Sequence, residues 1–123
     1  MACAEILFQP ALAGLNVPGI HVAVQEAINR CDPELRSTMW DNIVLAGGNT
    51  MLSGFVDRLG FELRRLAPPG TPVRVIASPE RHMLGWQGGA VLLSLPQSAD
   101  MWITKEVHEN DGPEKALRML SYW

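Results

Sequence analysis

Gly47-Gly48 followed by Asn49-Thr50 is where residue types and spacing point most directly to binding chemistry. The pair sits between Ile43-Val44-Leu45-Ala46, which reads as a buried strand, and an amphipathic helix marked by an apolar stripe at helical period, Leu52, Phe55, Val56, Leu59, Leu63 and Leu66. A strand–glycine–helix junction brings bare backbone N–H groups to a helix N-terminus, where an anion or a nucleotide can approach closely. The same turn can equally serve only to pack a helix against a strand, and the residues alone leave both readings open. Other chemistry finds less support. Asp57, Glu62 and Glu80 are spread over the long helix and a later loop, with no reason to converge for general acid–base work. No Ser/His/Asp or Cys/His nucleophile arrangement is present, so no catalytic residue is assigned. Cys3 and Cys31 are far apart and outside any ligand spacing; no metal site is expected, and two free thiols fit a reducing compartment. His21, at the entry to a helix, reads as structural or capping, and His108, in a charged stretch, as solvated. Glu80 and Arg81 read as a local ion pair.

These residues are carried by a chain with room for one domain. At 123 residues a core can be stable without staples, and 47% hydrophobic against 19% charged content favours a globular protein over a disordered one. The net charge of −3 provides no basic field for a phosphate backbone, and Arg64-Arg65 is the only adjacent basic pair. Nucleic-acid binding is therefore not expected. No basic N-terminal region precedes a long apolar segment, and the apolar stretch from Ala90 to Leu95 is too short to span a bilayer. The sequence reads as soluble and intracellular, with no membrane partner.

The elements that must position the diglycine turn follow from pattern. Residues 8 to 19 form an apolar loop broken by Pro10, Gly14, Pro18 and Gly19; greasy loops usually lie under something else. Ile20, Val24, Ala27, Ile28 and Cys31 mark a first helical stripe. Asp32-Pro33-Glu34 supplies an N-cap, a first-turn proline and an acid for a second helix ending near Trp40. After Leu66 the run Ala67-Pro68-Pro69-Gly70 is a stop, and Pro72 to Ala77 alternates as a short strand. From Pro79 a glycine-punctuated helical stretch holds Met83, Trp86, Val91, Leu92 and Leu95. Gly85, Gly88 and Gly89 would each cost about 1 kcal/mol there relative to alanine, which suggests close backbone contact with a neighbour. Pro96 ends it, Thr104 is placed to cap a helix opening Lys105-Glu106, and Trp40, Trp86 and Trp102 read as core or groove-lining. A pair of strands is too few for an independent sheet, which hints at a piece of something larger.

Taken in order, Leu7-Phe8-Gln9-Pro10, Gly19-Ile20-His21, Asn42 to Met51, Asp57-Arg58, Leu66-Ala67-Pro68, Pro79-Glu80-Arg81, Trp86-Gln87-Gly88-Gly89 and Met101-Trp102-Ile103-Thr104-Lys105 resemble the C-terminal part of actin and actin-related proteins. The similarity runs from about Cys3 nearly to the end. It implies an α/β class and part of an actin-like, two-lobed ATPase fold. Residues 1–83 would belong to the inner domain of the second lobe, and residues 84–123 would pass back to complete the outer domain of the first. By the same resemblance Gly47, Gly48, Asn49, Met51, Leu52 and His82 would line the adenine side of an ATP cleft. Leu52 stands where actin usually has tyrosine and His82 where it has lysine, so polar contact to the base would be weaker. The resemblance supplies no counterpart here for the phosphate-clamping loops or for the carboxylates that hold the divalent cation. ATP binding is accordingly expected to be weak or absent.

Two surfaces carry over in the same way. Ala11, Leu12, Ala13, Gly14, Leu15, Asn16 and Val17 match the hydrophobic plug between filament strands. Val91, Leu92, Leu95, Gln97 and Met101 match the cleft rim where actin-binding proteins insert a helix. The tail from Leu117 to Trp123 differs from actin, which ends in a Cys-Phe pair shortly after its Gly-Pro. The resemblance thus implies a divergent actin-like interaction protein, a short form without ATP hydrolysis of its own. It would be cytoplasmic and cytoskeletal, or nuclear, with actin-like subunits or actin-binding proteins as partners. The alternatives are a nucleotide-binding ATPase subunit completed by another lobe, and a non-functional truncated product. Exposed apolar surface is expected near Leu12, Leu15, Leu92 and Leu95.

Overall fold

The computed structural model describes residues 5–120; Cys3 and the end at Tyr122-Trp123 lie outside the described residues. Two compact units are present, Met1–Gly85 and Trp86–Trp123.

The first unit is built around one parallel strand–helix–strand crossover. Strand Ile43–Val44 pairs with strand Val75–Ile76 in the register Ile43↔Val75 and Val44↔Ile76, and the helix Phe55–Leu66 connects them. Parallel neighbours need such a crossover, because a tight hairpin cannot reverse the chain twice. Helices Ile20–Asn29 and Pro33–Trp40 complete the unit. Phe8, Ile28, Trp40, Leu45, Phe55, Leu59 and Leu63 form its buried core. Leu59 and Leu63 are 1% and 0% exposed, so the stripe at i, i+4 and i+8 from Phe55 is the main apolar contribution of the helix. Asp57 in its first turn and Arg64 and Arg65 in its last complement the helix dipole. Gln25 Nε2 donates to the Leu66 carbonyl at 3.1 Å, satisfying an acceptor that the helix end leaves open.

Three expectations need correction. The helix does not follow directly on Asn49-Thr50, with Leu52 as the first residue of its stripe. Gly48–Met51 is a short 3-10 turn, Leu52 is extended, Gly54 is left-handed at φ 75°, and the helix begins at Phe55. Leu52 is therefore off the stripe and 44% exposed; its spacing to Phe55 was coincidental with helical period. The run Ile43 to Ala46 is not buried throughout, because the helix covers one face of the sheet: Leu45 is buried and Val44 is 62% exposed. Asp32 occupies the N-cap position before Pro33, but its side chain makes no capping bond.

The loop before the first helix is pinned by Phe8, which is buried. Gly19 answers to space there. Its φ of −65° is open to any residue, yet a Cβ would collide with the Phe8 carbonyl oxygen. His21 stacks near Phe8, with ring centroids 5.9 Å apart.

In the second unit the helix Leu84–Ser94, which starts just ahead of the boundary, holds no buried residue. A Cβ added at Gly85, Gly88 or Gly89 meets nothing within 4 Å, so the expected close neighbour is absent among the described residues. Ser98, in the turn Pro96–Met101, is buried and donates to the Leu93 and Leu95 carbonyls. Thr104 Oγ1 accepts the Val107 N–H at 3.2 Å, the expected cap. The helical stretch Lys105–Leu120 is broken at Gly112, φ 75° and ψ 164°, just before Pro113. Trp40 is core, whereas Trp86 and Trp102 are exposed. No helix among the described residues is long and apolar enough to cross a membrane.

Candidate functional site

Both parallel strands run out at the same end of their sheet, and the loops that follow them are bolted together. In open α/β sheets the crevice beyond the strands' carboxyl ends is the usual place for a ligand. After the first strand, Gly47 turns the chain at φ 91°, a conformation that favours glycine. The Gly47 carbonyl accepts from the Thr50 N–H at 3.2 Å and from Thr50 Oγ1 at 2.8 Å, closing the turn on itself. After the second strand, Ser78 to Arg81 forms the opposing turn. The Gly47 N–H donates to the Arg81 carbonyl at 2.9 Å.

Arg81 then fixes the pair. Its Nη2 donates to the Thr50 carbonyl at 2.8 Å, its Nε to Thr50 Oγ1 at 3.0 Å and its Nη1 to the Ser78 carbonyl at 3.0 Å. The guanidinium thus bonds both Thr50 and Ser78. Planar guanidinium donors suit such a multi-point task better than a lysine would. Sequence reasoning missed the clamp, because nothing local links residues 31 positions apart.

The structure brings five of the six candidate base-side residues onto one continuous turn, Gly47, Gly48, Asn49, Met51 and Leu52. His82, the residue after Arg81, is held beside it through the Gly47–Arg81 bond. All six are exposed. Cβ atoms at Gly47 and Gly48 would meet nothing, so the surface is open to close approach. The helix dipole does not reach it, since the helix starts beyond Gly54 with Asp57 in its own first turn. What remains is an exposed turn with backbone amides, its shape fixed by the bonds to Arg81.

Acidic residues do not gather at this turn. Glu62 is taken by Arg58 at 2.9 Å and Arg65 at 3.4 Å. No group of His, Cys, Asp and Glu among the described residues is arranged to hold a metal ion. The strongest charge cluster lies elsewhere and was not legible in the sequence. Arg58 grips Glu5 with both Nη atoms, at 3.1 and 3.0 Å, and stands 5.1 Å over the Phe8 ring. Hydrogen bonds to Glu5, then to Glu62, hold its guanidinium above arginine's already high ordinary pKa.

The two expected partner surfaces are on the outside. Ala11 to Val17 are all exposed, with Leu12 at 64%, on a turn Pro10–Ala13 that Gly14 ends in a left-handed conformation. Val91 and Leu92 lie on the helix Leu84–Ser94, Leu95 just after it, and Gln97 and Met101 on the following turn. Met101 is half-buried and the other four are exposed. The exposure expected at Leu12, Leu15, Leu92 and Leu95 is present. Compared with known protein families, residues 1–119 match the model described as Actin.

Proposed function

We propose, from the premise that this chain belongs to the actin family, that it works by interaction: an actin-like, complex-forming protein that docks through exposed apolar surfaces and does not hydrolyse ATP by itself. The observation that carries this reading is where the large apolar side chains are. Leu12, Leu15 and Val17 crown one loop, and Trp86, Val91, Leu92 and Leu95 stand outward from another segment. Patches of this kind mark sites that a protein covers with a partner. Actin-like subunits or actin-binding proteins are the partners in keeping with the family, in a cytoskeletal or nuclear assembly. On this reading residues 1–83 and 84–123 belong to different domains of the family's fold, and the Gly47–Leu52 turn with His82 is a base-side wall without a triphosphate grip.

A second reading has one observation in its favour. The Arg81 clamp rigidifies a turn that would otherwise be a loose loop, as a nucleotide-binding subunit completed by another lobe would require. Thermal melting of the full chain with ATP and a divalent cation separates the two. An unchanged Tm supports the interaction protein, because a ligand bound only by the folded state must raise the melting point. A clear rise favours the nucleotide-binding subunit and overturns the first reading.

A further inference from the structure

A groove runs between the helix Phe55–Leu66 and the extended tract leading into strand Val75–Ile76, and none of its lining residues belongs to the diglycine wall. Its walls are Val56, Phe61, Val73 and Val75, and Gly60 leaves the helix surface low between them. One side of the groove is an unpaired strand edge. The Arg74 N–H donates to the Trp40 carbonyl, the Arg74 carbonyl accepts from Ile43, and the Ile76 carbonyl accepts from Leu45. Backbone groups alternate between the two edges of a strand. Those of Val73 and Val75 therefore turn to the outer edge, where no third strand lies among the described residues.

The charge of the lining is asymmetric. Three guanidiniums, Arg58, Arg64 and Arg74, face one carboxylate, Asp57. Arg58 is held by Glu5 and Glu62, and Arg74 by Asp41. Arg64 has no ion-pair partner among the described residues; its guanidinium lies back over Gly60, where a Cβ would stand 3.5 Å from Nη1. The groove thus offers main-chain hydrogen bonds, an apolar floor at alternate strand positions, and one uncommitted cation. We propose that it is a docking site for an extended, acidic segment of a partner protein, which adds to the sheet as a third strand beside Val75 and sets a carboxylate on Arg64. An edge addition of this kind takes affinity from the backbone and selectivity from alternate side chains.

The test uses the full chain and a short, blocked, fluorescent peptide that alternates valine and threonine and ends in two glutamates. Anisotropy should show binding, and the Val73 and Val75 amides should become protected from hydrogen exchange on addition of the peptide. Arg64→Glu should weaken binding about tenfold, the loss of one charge-assisted contact. Val75→Pro removes an outward N–H at an edge, where proline is tolerated, and should also weaken binding. Should either variant melt early, the unaltered chain with a backbone N-methylated peptide decides, since that peptide cannot pair and should not bind. Equal binding of the N-methylated peptide, or of one ending in lysines, overturns the proposal, as does no binding at all. Displacement by pyrophosphate without amide protection would reveal an anion site only. Protection of Val75 that grows with chain concentration, without peptide, would make the occupant a second copy. Either result also overturns it.

Discussion

Two helices of nearly equal length carry much of this molecule's apolar content and use it in opposite ways. Phe55–Leu66 gathers most of its large apolar residues on one side, where Phe55, Leu59 and Leu63 are buried against strand and helices, and only Phe61 stands well out, at 57% exposure. Leu84–Ser94 has only Gln87 and Ser94 as polar side chains and buries none of its residues, with Trp86 at 71% exposure. An amphipathic helix is satisfied by one covered face, whereas a helix with so narrow a polar strip leaves apolar surface bare unless more of it is covered. The contrast separates the two jobs in the chain. One helix holds a fold together, and the other leaves its apolar side chains exposed.

The sharpest way to break that contrast is a pair of matched truncations. Leu63→Ala empties a site with 0% exposure and should destabilise the first unit by about 3 kcal/mol or more. Leu92→Ala trims an exposed side chain and should change stability by less than about 0.5 kcal/mol. Urea unfolding of both variants checks the difference. Equal losses would mean that the second helix is covered in solution and that the comparison is false.

Gly19→Ala should have the next largest effect. The added methyl must displace the Phe8 carbonyl, and Phe8 itself is core, so a loss of about 1–3 kcal/mol is expected. A thermal melt that matches the unaltered chain would show that the loop yields freely and that Phe8 is not the anchor of the exposed segment from Ala11 to Val17.

What could be read from sequence follows the same division. The stripe from Phe55 to Leu66 was legible because its period is local and repeated. Its start was misplaced because Leu52 happens to sit three residues before Phe55, and only the left-handed Gly54 shows that the helix has not yet begun. The parallel pairing of Val44 and Ile76 agrees with strands separated by a helical stretch, but the exposure of Val44 depends on which sheet face the helix covers. At the candidate site the diglycine turn was visible as composition. The clamp that gives it a fixed shape was not, since Arg81 reaches Thr50 through tertiary structure. The Arg58–Glu5 grip escaped for the same reason, at a separation of 53 residues. Local signals reveal elements and turns; side-chain partnerships made by folding carry no local mark.

The smallest expected effect bears on the glycines of the second helix. Glycine in a helix costs up to about 1 kcal/mol relative to alanine, through the backbone entropy that it loses on folding. Leu84–Ser94 carries three of them, Gly85, Gly88 and Gly89, and a Cβ at any of the three meets open space. Nothing inside the described chain explains why alanine is not there. Gly88→Ala should therefore stabilise the helix by about 0.5–1 kcal/mol, read as slower native-state hydrogen exchange of the amides from 86 to 94. A partner whose backbone lies against this helix would give the opposite result in its complex: the same methyl would weaken its binding while strengthening the free chain. Measuring both on one variant distinguishes a glycine kept for docking from one that is merely tolerated. Faster exchange in the free variant would show that the helix already rests against a close neighbour, and the exposed half of the comparison would fall.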